Sequence, residues 1–182
     1  MKKLLFLAAL TVFGLNSIQA QEDGGSATSQ GGWLIEINTG FGEASTANTG
    51  FGLWSRDIGD ETITAWGVGG EVGYFVIDDL ALKAGLGYAD AGIDGIDGTF
   101  NWKFGGKYYI ASAWPVGVDI NGASGNDFSP LFLGIQAGYA WFVADNVSIE
   151  PGVRYGLGLN EDAGDGDANI FSVNIGFNLF ID

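Results

Sequence analysis

The chain has no cysteine and no histidine in 182 residues, only 3 prolines, and 7 lysines and arginines against 22 acidic residues. Each absence closes off a class of function. Without cysteine there is no disulfide, no thiolate zinc site and no lipoprotein anchor. Without histidine there is no Ser-His-Asp or Cys-His catalytic set and no imidazole metal ligand. A formal net charge of −15 argues against nucleic-acid binding, because phosphate is met by a basic footprint. Helical periodicity is nearly absent, and after Ala20 no apolar run approaches the ~20 residues that a membrane-crossing helix needs. What the chain has in excess is glycine, 32 residues without a collagen-like period, and aromatic side chains at 14%. Its length fits one domain.

The first residues read as an address. Met1-Lys2-Lys3 is a positive n-region, Leu4 to Leu15 is nearly all apolar, and Ser17-Ile18-Gln19-Ala20 ends in a small residue before Gln21. This is the pattern of a cleaved signal peptide over 1–20. Cleavage removes two lysines and no acid, which takes the formal charge from −15 to −17. Residues 21–32 are small and polar and are expected to form a flexible lead-in; 33–182 form the folded domain.

From Trp33 onward the chain alternates with period two, in eight runs that each keep one parity apolar. The third run, for example, carries Leu80, Leu82, Ala84, Leu86 and Tyr88, and the eighth Phe171, Val173, Ile175, Phe177, Leu179 and Ile181. Short links at 77–79, 111–113 and 144–146 alternate with long ones at 42–65, 89–99, 121–130 and 160–170. That rhythm is expected of an up-and-down meander with short turns at one end and loops at the other.

The other parity decides what the sheet faces. It is rich in glycine, which is costly on an exposed strand because it packs nothing. It also carries Glu36, Glu71, Lys83, Lys103, Lys107, Asp119, Glu150 and Arg154. These are four acids and four bases, a neutral set within a strongly acidic chain. Charges withdrawn from water must be paired, so a balanced set is expected of a closed interior with an ion-pair network. Glu71 is expected beside Lys83, Asp119 beside Lys103 and Lys107, and Arg154 beside a carboxylate of a neighbouring strand.

Aromatics sort to both ends of the apolar parity. Trp33, Tyr74, Tyr108, Trp114, Tyr139, Trp141 and Phe177 fall on the short-turn side; Phe41, Trp66, Tyr88, Phe100, Trp102 and Phe171 fall on the loop side. Two belts around an aliphatic waist match the two interfaces of a bilayer. The expectation is therefore an all-β, eight-stranded antiparallel up-and-down transmembrane β-barrel, its interior just wide enough for side chains to fill.

On this architecture, over residues 33–182, the chain resembles the small eight-stranded outer-membrane barrels of the OmpA/OmpX type, including related barrel proteins of Bacteroidetes-like bacteria. The resemblance implies a monomer in the outer membrane of a Gram-negative bacterium, in contact with lipid and lipopolysaccharide. Phe171 to Asp182 looks like the closing strand read by barrel-insertion machinery, although the chain ends Ile181-Asp182 and Phe180 has the inward parity. Barrel enzymes of this size resemble acyl hydrolases and transferases that use histidine, so no enzyme and no cofactor are expected.

The loops carry twelve acids, among them Asp57, Asp60, Glu61, Asp90 and Asp127, against Arg56 alone. Asp94, Asp97, Asp162, Asp165 and Asp167 crowd among glycines and are weak candidates for calcium or another divalent cation, without EF-hand spacing. The functional expectation is a structural or surface-interaction protein. Two alternatives accompany it: a soluble lipocalin-like barrel binding an apolar ligand, and a narrow gated ion pore.

Overall fold

The computed structural model describes residues 26–41, 50–58, 61–93, 95, 97–125, 129–167 and 169–182; the signal-peptide reading and residues 21–25 lie outside them. Ten strands follow in chain order: β1 (Trp33–Phe41), β2 (Phe51–Ile58), β3 (Glu61–Ile77), β4 (Leu80–Asp90) and β5 (Thr99–Ile110). They continue with β6 (Trp114–Ser124), β7 (Leu131–Gly138), β8 (Trp141–Ala144), β9 (Val147–Gly158) and β10 (Ile170–Ile181). Neighbouring staves pair antiparallel, and β1 closes the cylinder. It pairs with β10 from Trp33↔Ile181 to Phe41↔Val173, and with β3 from Trp33↔Tyr74 to Glu36↔Glu71. The result is a closed eight-stranded antiparallel β-barrel, with β7 and β8 sharing one stave and β2 added beside β3 at the loop end.

The alternation of the sequence is the alternation of the wall. In β4 every second side chain from Ala81 to Gly87 is buried, and those between are exposed. The exposed set includes Leu82, Leu86, Phe104, Val118, Ile120 and Val153, and the buried set includes every charged residue expected inside. The wall is inside-out relative to a water-soluble protein.

Two expectations about the wall need correction. Residues 42–65 are not one loop: β2 and the first part of β3 form a hairpin, Phe51↔Val68 to Ile58↔Glu61, that rises past the end of β4. The β-branched stretch Thr62-Ile63-Thr64 favours extended backbone, and Thr62 Oγ1 donates to Asp57 Oδ1 at 2.7 Å. Asp57, Glu61 and Asp90 thus lie on strands rather than in loops. The sixth run is split at Tyr139–Ala140, opposite Pro151. There the Ala140 N–H leaves the ladder to donate to the Ala113 carbonyl at 2.7 Å. Residues 26–32 pack at the short-turn mouth, and Thr28 is buried.

Under that segment lies a small apolar layer of Leu34, Phe75, Ala81, Tyr109, Ala140 and Phe180, each no more than 2% exposed. Phe180 stacks near Phe75 and meets the Tyr109 ring edge-on, with centroids 6.2 and 6.0 Å apart. All six share the inward parity with the charged residues but sit near the short turns.

Candidate functional site in the barrel interior

Above the apolar layer the inward charges form a chain of alternating sign. Glu150 on β9 pairs with Lys107 on β5, and Lys107 Nζ lies 2.7 Å from Glu36 Oε2 on β1. Lys83 on β4 joins Glu36 to Glu71, at 2.6 and 2.8 Å, and Lys103 Nζ ends the run 2.6 Å from Glu71 Oε1. Lys107 crosses the interior to do this, because β5 stands opposite β10 in the ring, with β1 and β9 on either side of β10. Each charged group is no more than 7% exposed. Neutral donors take up remaining carboxylate lone pairs: Tyr109 OH and Ser148 Oγ each donate to Glu150 Oε1 at 3.0 Å, and Asn38 Nδ2 donates to Glu36 Oε1 at 2.7 Å. Buried ionised groups persist only when paired and hydrogen-bonded in this way.

A second unit sits beside the chain. Arg154 on β9 grips Asp119 on β6 with two parallel bonds, Nη1 to Oδ2 and Nη2 to Oδ1, both 2.6 Å. Asn121 Nδ2 donates to Asp119 Oδ1 at 2.8 Å, and Gln136 Oε1 accepts from Arg154 Nη1 at 3.2 Å. The fork geometry fixes direction as well as charge. It passes over β7 at Gly134, where a Cβ would lie against the guanidinium and 2.8 Å from Asp119 Oδ1. Glycine on the inward parity is thus the space that the long side chains occupy.

Glu71 does lie beside Lys83, but Asp119 does not pair with Lys103 or Lys107. Lys107 finds carboxylates across the interior and Lys103 finds Glu71 on β3, past β4, and Asp119 is left to an arginine that is one strand further round than a hydrogen-bonded neighbour. Asn38, Asn121 and Gln136 stand on the inward parity read from the sequence, without a role assigned there; Tyr109 and Ser148 share that parity and were not picked out. A small cavity lined by Glu36, Asn38, Lys107, Gln136, Glu150 and Asn174 adjoins the chain, and Asn174 Oδ1 there is buried with no hydrogen-bond partner among the described residues.

On the outer face, Trp33, Trp66, Tyr74, Tyr88, Phe100, Tyr108, Trp114, Trp141, Phe171 and Phe177 are exposed, and Trp102 and Tyr139 are half-buried. The side chain of Phe41 lies outside the described set. Belt members touch one another within each end: Trp33 with Tyr74 at 5.0 Å and Trp114 with Tyr139 at 4.8 Å near the short turns, Trp66 with Tyr88 at 5.7 Å near the loops. Phe104 is an aromatic within the waist.

The calcium candidates do not converge. Asp94 lies outside the described residues, and among those described no three acidic side chains share a point that could hold a metal ion. Asp162 Oδ2 accepts from the Ser129 N–H at 2.8 Å, and Asp165 turns through φ 52° in the 3-10 segment Glu161–Gly166.

No family model matches the chain, and no curated protein does. Among solved structures it is similar to the N-terminal β-barrel domain of Pseudomonas aeruginosa OprF, at 15% identity over 84% of this chain and 98% of that one, TM-score 0.51. It also aligns with the de novo designed TMB2.3, at 16% identity over 85% and 97% of the two chains, TM-score 0.46. A third is Neisserial surface protein A (NspA), at 13% identity over 84% and 99%, TM-score 0.41. The likeness to the OprF domain shows the fold.

Proposed function

We propose that the chain is an integral outer-membrane β-barrel of the OmpA/OmpX kind, Bacteroidetes-like relatives included, with a passive structural or surface-interaction role. The observation that carries this reading is the reversal of burial. Among the described residues 33 large apolar side chains are exposed, all but Ile93 and Leu159 on strands, while Glu36, Glu71, Lys83, Lys103, Lys107, Asp119, Glu150 and Arg154 are buried inside. A monomer in water does not expose an apolar surface that encircles it. In hydrocarbon the same surface is the solvated one, and a closed barrel leaves no unpaired sheet edge to face lipid.

The proposed partners are membrane lipid and lipopolysaccharide along the wall and the barrel-insertion machinery during biogenesis. A signal peptide over 1–20, as the sequence is read, together with the short-turn position of Trp33, would orient the short turns toward the periplasm and the acidic loops outward. A lipocalin-like role would need an apolar interior, and this one carries eight charges. No catalytic step is proposed.

The test is refolding. The protein is expected to fold only with detergent or lipid vesicles, and to run faster on a gel unboiled than boiled. In fractionated cells it should appear with the outer membrane. A folded monomer in plain buffer would overturn the reading.

A further inference from the structure

We propose that residues 26–32 form a strap that seals the short-turn mouth of the barrel, with Asp79 as its fastening point. The strap crosses the opening directly over the apolar layer, and Ala27 packs against that layer. Thr28 is 1% exposed, although it belongs to a small polar segment with no strand pattern of its own. Its hydroxyl donates to Asp79 Oδ1 at 2.5 Å, and its carbonyl accepts from the Asp79 N–H at 2.8 Å. Asp79 also ties two turns together: Ser112 Oγ donates to the same Oδ1 at 3.0 Å, and the Tyr109 N–H donates to the Asp79 carbonyl at 2.9 Å. Asp79 holds φ at +64°, a left-handed conformation that aspartate tolerates better than most side chains.

Further bonds continue to the start of β1. The Gln30 N–H donates to Asp78 Oδ1 at 2.8 Å, Gln30 Nε2 to the Val76 carbonyl at 3.0 Å, and the Gly31 N–H to the Phe75 carbonyl at 2.9 Å. At Gly31, φ is +93° with open space around the position, so an alanine there meets no clash and only the unfavourable backbone conformation. The eight-stave ladder starts at Trp33 and includes none of these bonds. The strap can therefore lift while the barrel stays closed, which makes it a lid on the apolar layer rather than a stave of the wall.

The absence of native cysteine makes the test free of background. Ala140→Cys places a thiol in the apolar layer, where Ala140 is 1% exposed, and Ala123→Cys places one in the interior toward the loop end, where Ala123 is 3% exposed. Each protein, folded in detergent so that both ends are open to solvent, is treated with a charged thiol reagent. The thiol at 140 is expected to react slowly. Thr28→Val, Gly31→Ala and Asp79→Ala should each speed it about fivefold or more, the change that about one hydrogen bond's worth of stability gives an opening equilibrium. Asp79→Asn keeps the Oδ1 acceptor and the tolerance for positive φ, and should restore slow reaction. The thiol at 123 should not respond to any of them, and the unboiled gel band should remain that of the folded barrel. Thr28→Val removes a single hydroxyl and keeps the test valid should Asp79→Ala fail to fold. Fast reaction at 140 with the strap intact, or rates that Thr28→Val and Gly31→Ala leave unchanged, would overturn the proposal. Because the readout is solvent access in detergent, it stands whatever the cell fractionation shows.

Discussion

Replacing Lys107 by Met tests whether the interior chain acts as a unit. Lys107 bonds Glu150 and lies 2.7 Å from Glu36 Oε2, with its side chain 2% exposed. Glu36 would keep Lys83 at 2.6 Å, whereas Glu150 would keep, among the described residues, the neutral donors Tyr109 and Ser148. At an effective dielectric constant of ~20, unit charges about 4 Å apart attract by ~4 kcal/mol, and Lys107 makes two such contacts. Removing the ammonium also removes its own desolvation penalty, so the net loss is smaller than the two attractions together. Breaking a buried pair in this way costs ~3–5 kcal/mol. The assay is urea unfolding of the refolded barrel, followed by tryptophan fluorescence and by the unboiled gel band. Adding Glu150→Gln, which removes the stranded charge and keeps an acceptor, should recover ~1–3 kcal/mol as coupling. The reasoning is refuted if Lys107→Met costs under ~1 kcal/mol, as a solvent-screened surface pair would, or if Glu150→Gln recovers nothing in that background.

Two further outcomes follow from the same geometry. Gly134→Ala forces a Cβ between Arg154 and Asp119 and should cost ~1–3 kcal/mol in urea unfolding. Gly70→Ala, whose Cβ would meet nothing nearer than the Glu36 carbonyl oxygen at 3.7 Å, should stay within ~0.5 kcal/mol of the parent. On the outer wall, Ile120→Arg near mid-barrel should cost ~2–4 kcal/mol in vesicles, and Leu159→Arg at the loop end ~0–1 kcal/mol. Equal costs at the two positions would contradict a hydrocarbon-facing waist, since both residues are about half exposed, at 46% and 49%.

Side-chain direction was legible from the alternation alone, because a strand turns successive residues to opposite faces and a one-residue error would have reversed every assignment. The inward set followed from it: Glu36, Lys83 and Arg154 are buried where the parity puts them. The β2–β3 hairpin was not legible, because Ser55, Arg56 and Asp57 interrupt the apolar parity and give the segment the composition of a loop. The strap was hidden for a different reason. Ser26 to Gly32 has no periodicity, and its order comes from Asp78, Asp79 and Phe75, residues that lie more than forty positions away.

The sequence by itself determined the facing of the wall, the neutrality of the inward charges and the sorting of aromatics to two ends. All three are properties of residue type and parity, which are local. Only the tertiary structure decided who pairs with whom. Closing the sheet brings β5 opposite β10 and its neighbours β1 and β9, so that Lys107 reaches Glu36 and Glu150 across the interior. Glycine at 134 clears the path by which Arg154 reaches Asp119 over an intervening strand. Strand stagger and barrel closure set those distances, and no short stretch of sequence states them.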